Sequence, residues 1–270
     1  MKSRVKDYLG SLIDILTKPE MSILPANIAF YFVLALIPLF TIIILLASSF
    51  SISVDLIIDL VHDLFPIGIS NTVTELITTS NLDTHTGVFN IIAFIVATNG
   101  TYAIVIASNT LYKVKKHDML KDRIKSILLL IIIVILLLFL IVVPILGEQI
   151  INLLINIEGI QNLIPSIAFI YDVLKWPITF LIIYFNLKLI YTIAPSKLVS
   201  SSETTEGAFF TTICWVIATA IFSYYVNNFA SYDIVYGNLS TLIILMIWIY
   251  ALSFIFVLGM AMNAVKYHNK

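Results

Sequence analysis

The sequence predicts an all-α fold: a polytopic integral membrane bundle of six transmembrane helices with both termini in the cytoplasm. Three observations predict it. Of 270 residues, 60% are apolar and 11% charged, whereas about a quarter of a soluble domain is charged. Six apolar runs each reach the roughly 20 residues that a bilayer crossing needs. The third observation is where Lys and Arg fall. Of fifteen, four precede the first run, six lie in 113–125, and Lys197, Lys266 and Lys270 follow the fourth and sixth runs. The connections at 50–87, 147–165 and 229–237 hold none. Positively charged connections stay on the cytoplasmic side, which requires six crossings and an inside location for both ends.

Composition also excludes several classes. A formal charge of −1 argues against a nucleic-acid binder. The single cysteine, Cys214, permits neither an internal disulfide nor a cysteine-based zinc site. No polar stretch is long enough to fold as a soluble domain, so residues 1–270 read as one membrane domain. No P-loop, nucleophile triad or zinc spacing is present, and neither cofactor nor metal is expected.

Residues 1–22 form a cytoplasmic amphipathic segment. Val5, Tyr8, Leu9, Leu12, Ile13 and Leu16 share one face of it, suited to lying on the membrane or packing on the end of the bundle. The first span covers about 24–49. Its apolar run exceeds a signal-peptide core, so it reads as retained. Asn27, Tyr31, Pro38, Thr41 and Ser48 share a face, and Pro38 lies mid-span, where it would kink the helix. The outer segment 54–65 is amphipathic, with Asp55, Asp59, His62 and Asp63 on its wet side. Asp59 and Asp63, spaced i, i+4 with His62 adjacent, point to solvation rather than to a metal on such a face.

The second span, about 87–112, is the most polar, with Asn90, Thr98, Asn99, Thr101, Ser108 and Asn109. Asn90, Ala97, Thr101 and Ser108 form one face, while Asn99 and Asn109 point elsewhere. Polarity around the circumference places this helix inside a bundle. The basic connection 113–125 offers Lys113, Lys115, Lys116 and Arg123 to anionic lipid head groups. The third span, about 126–146, is nearly all Leu, Ile and Val and reads as a lipid-facing edge. Residues 147–165 read as an apolar cap or surface segment on the outside.

The fourth span, about 167–193, carries Pro177, Tyr184, Lys188 and Tyr191 on one side. Lys188 sits near the inner end, where lysines snorkel to head groups. The fifth, about 207–228, aligns Thr212, Trp215, Thr219 and Ser223. The sixth, about 238–264, has two faces: Asn238, Thr241, Trp248, Gly259 and Asn263 on one, and Ile243, Ile247, Tyr250, Phe254 and Val257 opposite. A polar stripe in hydrocarbon should face protein or water, because unpaired polar groups are costly there.

Three stretches resemble the YihY/BrkB family of bacterial inner-membrane proteins, often labelled ribonuclease BN-like. PANIAFYFVLALIPLF (25–40) is similar to the family's A-x-x-A-F-Y-x-x-x-S-x-x-P-L opening. IYTIAP, followed by EGAFF, resembles its Y-x-x-x-P…GA segment, and YGNLSTLIILMIWIYALSFIFVLGMAMNA (236–264) resembles its closing motif. Two departures stand out. Ala35 occupies the place of a serine, and Met260-Ala261-Met262-Asn263 lacks the motif's glutamate, so that any proton coupling the acid serves in relatives is either absent here or falls to Glu206. The resemblance implies a six-helix protein of the bacterial cytoplasmic membrane.

The polar stripes of spans one, two, four, five and six would converge on a central cavity. The residues expected to line it are Asn27, Tyr31, Pro38, Asn90, Thr101, Tyr184, Lys188, Glu206, Tyr236 and Asn238, with Lys188 and Glu206 placed to pair as a gate. The expected function is a membrane transporter or lipid-translocating, flippase-like protein with membrane lipids as partners and no nucleic acid; a homo-oligomer is left open. The alternative is a non-transporting scaffold or regulator whose stripes only join helices. The nuclease label ranks last, because the short cytoplasmic loops offer no site built for metal-held phosphodiester hydrolysis.

Overall fold

An apolar run in hydrocarbon has no water for its amides, so each closes its own hydrogen bonds as a helix. The computed structural model describes residues 10, 13–49, 54–55, 58–59, 62, 70–71, 74, 86–115, 118–155, 164–228 and 240–268. Six long helices lie among them: α1 (Glu20–Ser49), α2 (Thr86–Leu111), α3 (Met119–Ile155), α4 (Ile164–Ile193), α5 (Thr205–Asn228) and α6 (Ser240–His268). The described residues contain no strand. Phe94–Leu111 of α2, Val173–Ile193 of α4, Thr205–Val226 of α5 and Leu242–His268 of α6 are each long and apolar enough to cross a membrane.

Each helix packs on its neighbours in the chain, and α6 returns to α1, so the six close a ring. In addition α2 touches α6, and α1 touches α3. Of these four stretches the one in α2 is the most enclosed: 61% of Phe94–Leu111 is buried, against 11% of Thr205–Val226. The core gathers Ile28 of α1, Ile104, Val105 and Tyr112 from α2 and the residue after it, Leu129 of α3, Tyr191 of α4, and Met260 and Ala264 of α6.

Two sequence expectations change. The third helix is 37 residues long, roughly 55 Å at 1.5 Å per residue. It therefore takes in part of the basic connection and runs through residues 147–155, which had read as a separate outer segment. Its buried residues Leu129, Leu130, Ile133 and Val134 alternate with exposed Leu128, Ile131 and Ile135, as an edge helix requires. On α6, Val257 is fully buried although it lies on the apolar face opposite the polar stripe, because α6 packs against both α5 and α1. Ile247 and Tyr250 on that face are exposed.

The N-terminal segment is described at 10 and 13–19, with a helical turn at 13–16. Ile15 touches the core, while Ile13 is exposed. Of the 54–65 segment, 54–55, 58–59 and 62 are described and helical. The rest of that segment, Asp63 included, lies outside the described residues.

Candidate functional site

The end of α2, the start of α3, the end of α4, the start of α5 and the end of α6 meet at one end of the bundle, the end that carries the basic connections. Two kinds of polar arrangement stand there.

The first is a knot of hydrogen-bonded groups. Buried Asn109 donates to Asp122 and to the Ser196 hydroxyl at 3.2 Å each, and its carbonyl accepts the Ser196 backbone amide at 2.7 Å. The Ser196 hydroxyl donates to Asp122 at 2.6 Å. The Lys125 ammonium donates to the Pro195 carbonyl at 2.7 Å and to the Ser196 hydroxyl at 3.2 Å. Burial pushes Lys125 below the ordinary lysine value, opposed by the charge of Asp122. Lys197 closes the knot by donating to the Tyr112 carbonyl at 2.8 Å. Deeper in the bundle Tyr191 ties α4 to α5 and α6, with its hydroxyl 2.7 Å from the Phe256 carbonyl and 2.8 Å from the Thr211 hydroxyl. The Trp215 indole donates to the Leu252 carbonyl at 2.9 Å, and the Gly207 amide donates to Asn263 at 2.9 Å. These groups join helices, as polar residues in membrane bundles commonly do.

The second arrangement is a cavity of about 470 Å³ in the angle between α1, α2 and α3, lined by Asn27, Tyr31, Asn99, Tyr102, Ala103, Ile106, Met119, Leu120 and Arg123. Helical spacing assembles it. Asn27 and Tyr31 are one turn apart on α1. Asn99, Tyr102, Ala103 and Ile106 are i, i+3, i+4 and i+7 on α2, and Leu120 and Arg123 are i and i+3 on α3. Arg123 donates to the Asn99 carboxamide oxygen at 2.9 Å and lies 5.0 Å from the centre of the Tyr102 ring. Met119, Leu120 and the adjacent Ile124 are 75%, 78% and 67% exposed, giving the cavity an apolar rim.

Of the ten residues expected to line a common interior, Asn27 and Tyr31 line this cavity. Thr101 is buried in helix packing, donating to the Ser126 carbonyl at 2.7 Å. Tyr184 meets Phe185 and Phe209 edge-on, with Lys188 5.9 Å from its ring centre. Glu206 pairs with Lys266, so the gate pairing of Glu206 with Lys188 is not formed. The side chains of Pro38 and Asn90 and the whole of Tyr236 and Asn238 lie outside the described residues, as does Lys116. Lys113 and Lys115 are exposed. Asn99, Tyr102, Ala103, Ile106, Met119 and Leu120 were not anticipated; the i, i+3, i+4, i+7 pattern on α2 was the available signal. Among the described residues no group of three or more His, Cys, Asp and Glu is placed to hold a metal ion.

Long apolar helices joined by buried polar contacts, with no strand among the described residues, define a polytopic helical membrane protein, multi-pass in the bacterial inner membrane. The chain belongs to the BrkB family: the family model described as virulence factor BrkB matches residues 13–270. It is 31% identical to the ribonuclease-like protein YfkH of Bacillus subtilis over 268 residues, 97% of this chain and 96% of that one. It is 38% identical to a UPF0761 membrane protein of Haemophilus influenzae over 72 residues, 27% of each chain. No solved structure matches it.

Proposed function

We propose that the protein is a transporter of amphiphiles, a lipid-translocating protein that admits its substrate from the cytoplasmic leaflet through the cavity between α1, α2 and α3. One observation carries this reading. A cavity of about 470 Å³, within the size range of small-molecule sites, combines a guanidinium with exposed Met119 and Leu120 at its rim. A cation beside apolar surface suits a molecule with a charged head and a hydrocarbon tail. The positive-inside rule puts this end in the cytoplasm.

The ribonuclease word in the YfkH name meets a physical objection at this end. Asp118 accepts the Leu120 and Lys121 amides, Asp122 is tied to Ser196 and Asn109, Glu203 accepts the Ser200 amide, and Glu206 pairs with Lys266. Each of these carboxylates has a structural role.

The test is reconstitution of the purified protein into vesicles carrying a fluorescent phospholipid, with a quencher reading how fast lipid exchanges between leaflets. The protein should accelerate exchange, and Ile106→Trp, which fills the cavity from a partly exposed position, should abolish the acceleration. A folded protein that leaves exchange at the protein-free rate would overturn the reading in favour of a scaffold or regulator.

A further inference from the structure

We infer that the α1–α2–α3 cavity selects an anionic phospholipid, with its phosphodiester on Arg123 and its chain against Ile106, Met119 and Leu120. This rests on the cavity being the substrate site proposed above.

The guanidinium decides the sign of the ligand. A guanidinium is a cation, yet the partners of this one are a neutral carboxamide and an aromatic ring. Among the described residues no carboxylate pairs with it, and the cavity lining contains no Asp, Glu or Lys. One of its five N–H donors goes to Asn99. The fork geometry of those that remain matches two oxygens of a phosphate. A lining with one positive charge and four neutral polar side chains, Asn27, Tyr31, Asn99 and Tyr102, suits the single charge of a phosphodiester.

The rim decides between a lipid and a soluble anion. Met119, Leu120 and Ile124 are at least two-thirds exposed, where a water-soluble phosphate would leave them nothing to touch. Acyl chain beside them removes that surface from water, at about 25 cal/mol per Å². The α3 N-terminus is excluded as the anion site because the Asp118 carboxylate already accepts its amides.

The experiment uses the full chain in neutral detergent, titrated separately with phosphatidylglycerol, phosphatidylcholine and inorganic phosphate, with binding read as a shift in thermal unfolding. Phosphatidylglycerol should bind and the other two should not. Arg123→Gln should weaken it about tenfold or more, as loss of charged hydrogen bonds does. Arg123→Lys should recover only part, and Lys121→Gln, an exposed cation outside the cavity, should bind like the parent. If Arg123→Gln does not fold, Ile106→Trp supplies the same loss with the guanidinium retained. Equal binding of phosphatidylcholine, binding of free phosphate, or an equal loss in Lys121→Gln would each overturn the inference. The vesicle assay separates the two proposals. Exchange that persists without selective binding removes this inference alone, and selective binding without exchange removes the transport reading alone.

Discussion

Gly207 and Gly259 bring α5 and α6 together backbone on backbone. A Cβ on Gly207 would overlap the Gly259 carbonyl oxygen and the Asn263 carboxamide, and one on Gly259 would overlap the Thr211 hydroxyl. Small residues let membrane helices approach this closely, and here the approach lets Asn263 accept the Gly207 amide. Gly259→Ala should therefore lower stability by about 1–3 kcal/mol, the usual cost of overpacking, read as a lower melting temperature in detergent. Thr211→Ala removes the nearest obstacle, so the double variant should lose less than the sum of the two singles. The Gly207 carbonyl and the Tyr191 hydroxyl still stand 2.8 Å from that Cβ, so rescue should be partial. Strict additivity would refute the close crossing.

Lys113 holds a left-handed backbone, with φ of 50°, and it ends α2 in a Schellman motif: the Val114 amide bonds Asn109 and the Lys113 amide bonds Thr110. Glycine normally occupies this place. A side chain there costs about 1–2 kcal/mol, partly offset by the greater freedom glycine loses on folding. Lys113→Gly should consequently raise stability by about 1 kcal/mol, while Lys113→Ala, which keeps the Cβ, should give no gain. A stabilisation of equal size in both variants would assign the effect to charge instead.

The helices were legible in the sequence because hydrocarbon leaves a backbone few alternatives. Expected spans at 87–112 and 207–228 differ by a residue or two from Thr86–Leu111 and Thr205–Asn228. The third helix was underestimated because hydropathy marks where a chain meets lipid, not where its helix stops. MLKDRIK (119–125) is rich in helix formers and follows the capping aspartate, Asp118. The site was harder to read. The polar stripe chosen on α2, through Ala97, Thr101 and Ser108, is a buried packing face. The cavity is on the face of Asn99, Tyr102 and Ile106. Asparagine and threonine serve packing and cavity alike, and only the placement of a neighbouring helix tells which. Asn109 is a similar case: its chemistry was visible, but its partner Ser196 is 87 residues away.

Asp118 gives the start of α3 a pH dependence. Its carboxylate accepts the Leu120 and Lys121 amides and pairs with the Lys121 ammonium, which together hold its carboxyl below the ordinary value of 3.8. A group whose folded pKa is depressed contributes stability above its unfolded pKa and loses it as pH falls through the folded value. Melting temperatures should thus separate the parent from Asp118→Ala at pH 7, with the gap closing as pH drops below about 4, near the unfolded aspartate pKa. Asp118→Asn, a good cap that does not titrate, should keep its advantage over alanine in acid. An unchanged gap at pH 3 between the parent and the alanine variant would show that the cap does not operate.

The knot at the basic end ties membrane orientation to packing. Lys197 bonds the Tyr112 carbonyl, and Ser196 bonds both Asn109 and Asp122, so the connections after α2 and after α4 must lie on one side of the membrane. The charge distribution says that side is the cytoplasm. In a Cys214→Ser background, which removes the one native thiol, single cysteines are placed at Lys115, at Leu198, which is 98% exposed, and at Glu158 between α3 and α4. A membrane-impermeant maleimide applied to intact spheroplasts should label Glu158→Cys, and Lys115→Cys and Leu198→Cys only after permeabilisation. The two inner positions cannot part company without breaking the knot, so labelling one but not the other from outside would contradict the bundle itself. Labelling both from outside would preserve the packing and reverse the orientation. It would also move the Arg123 cavity to the other leaflet, and a lipid-exchange assay with label in a single leaflet would detect that change in direction.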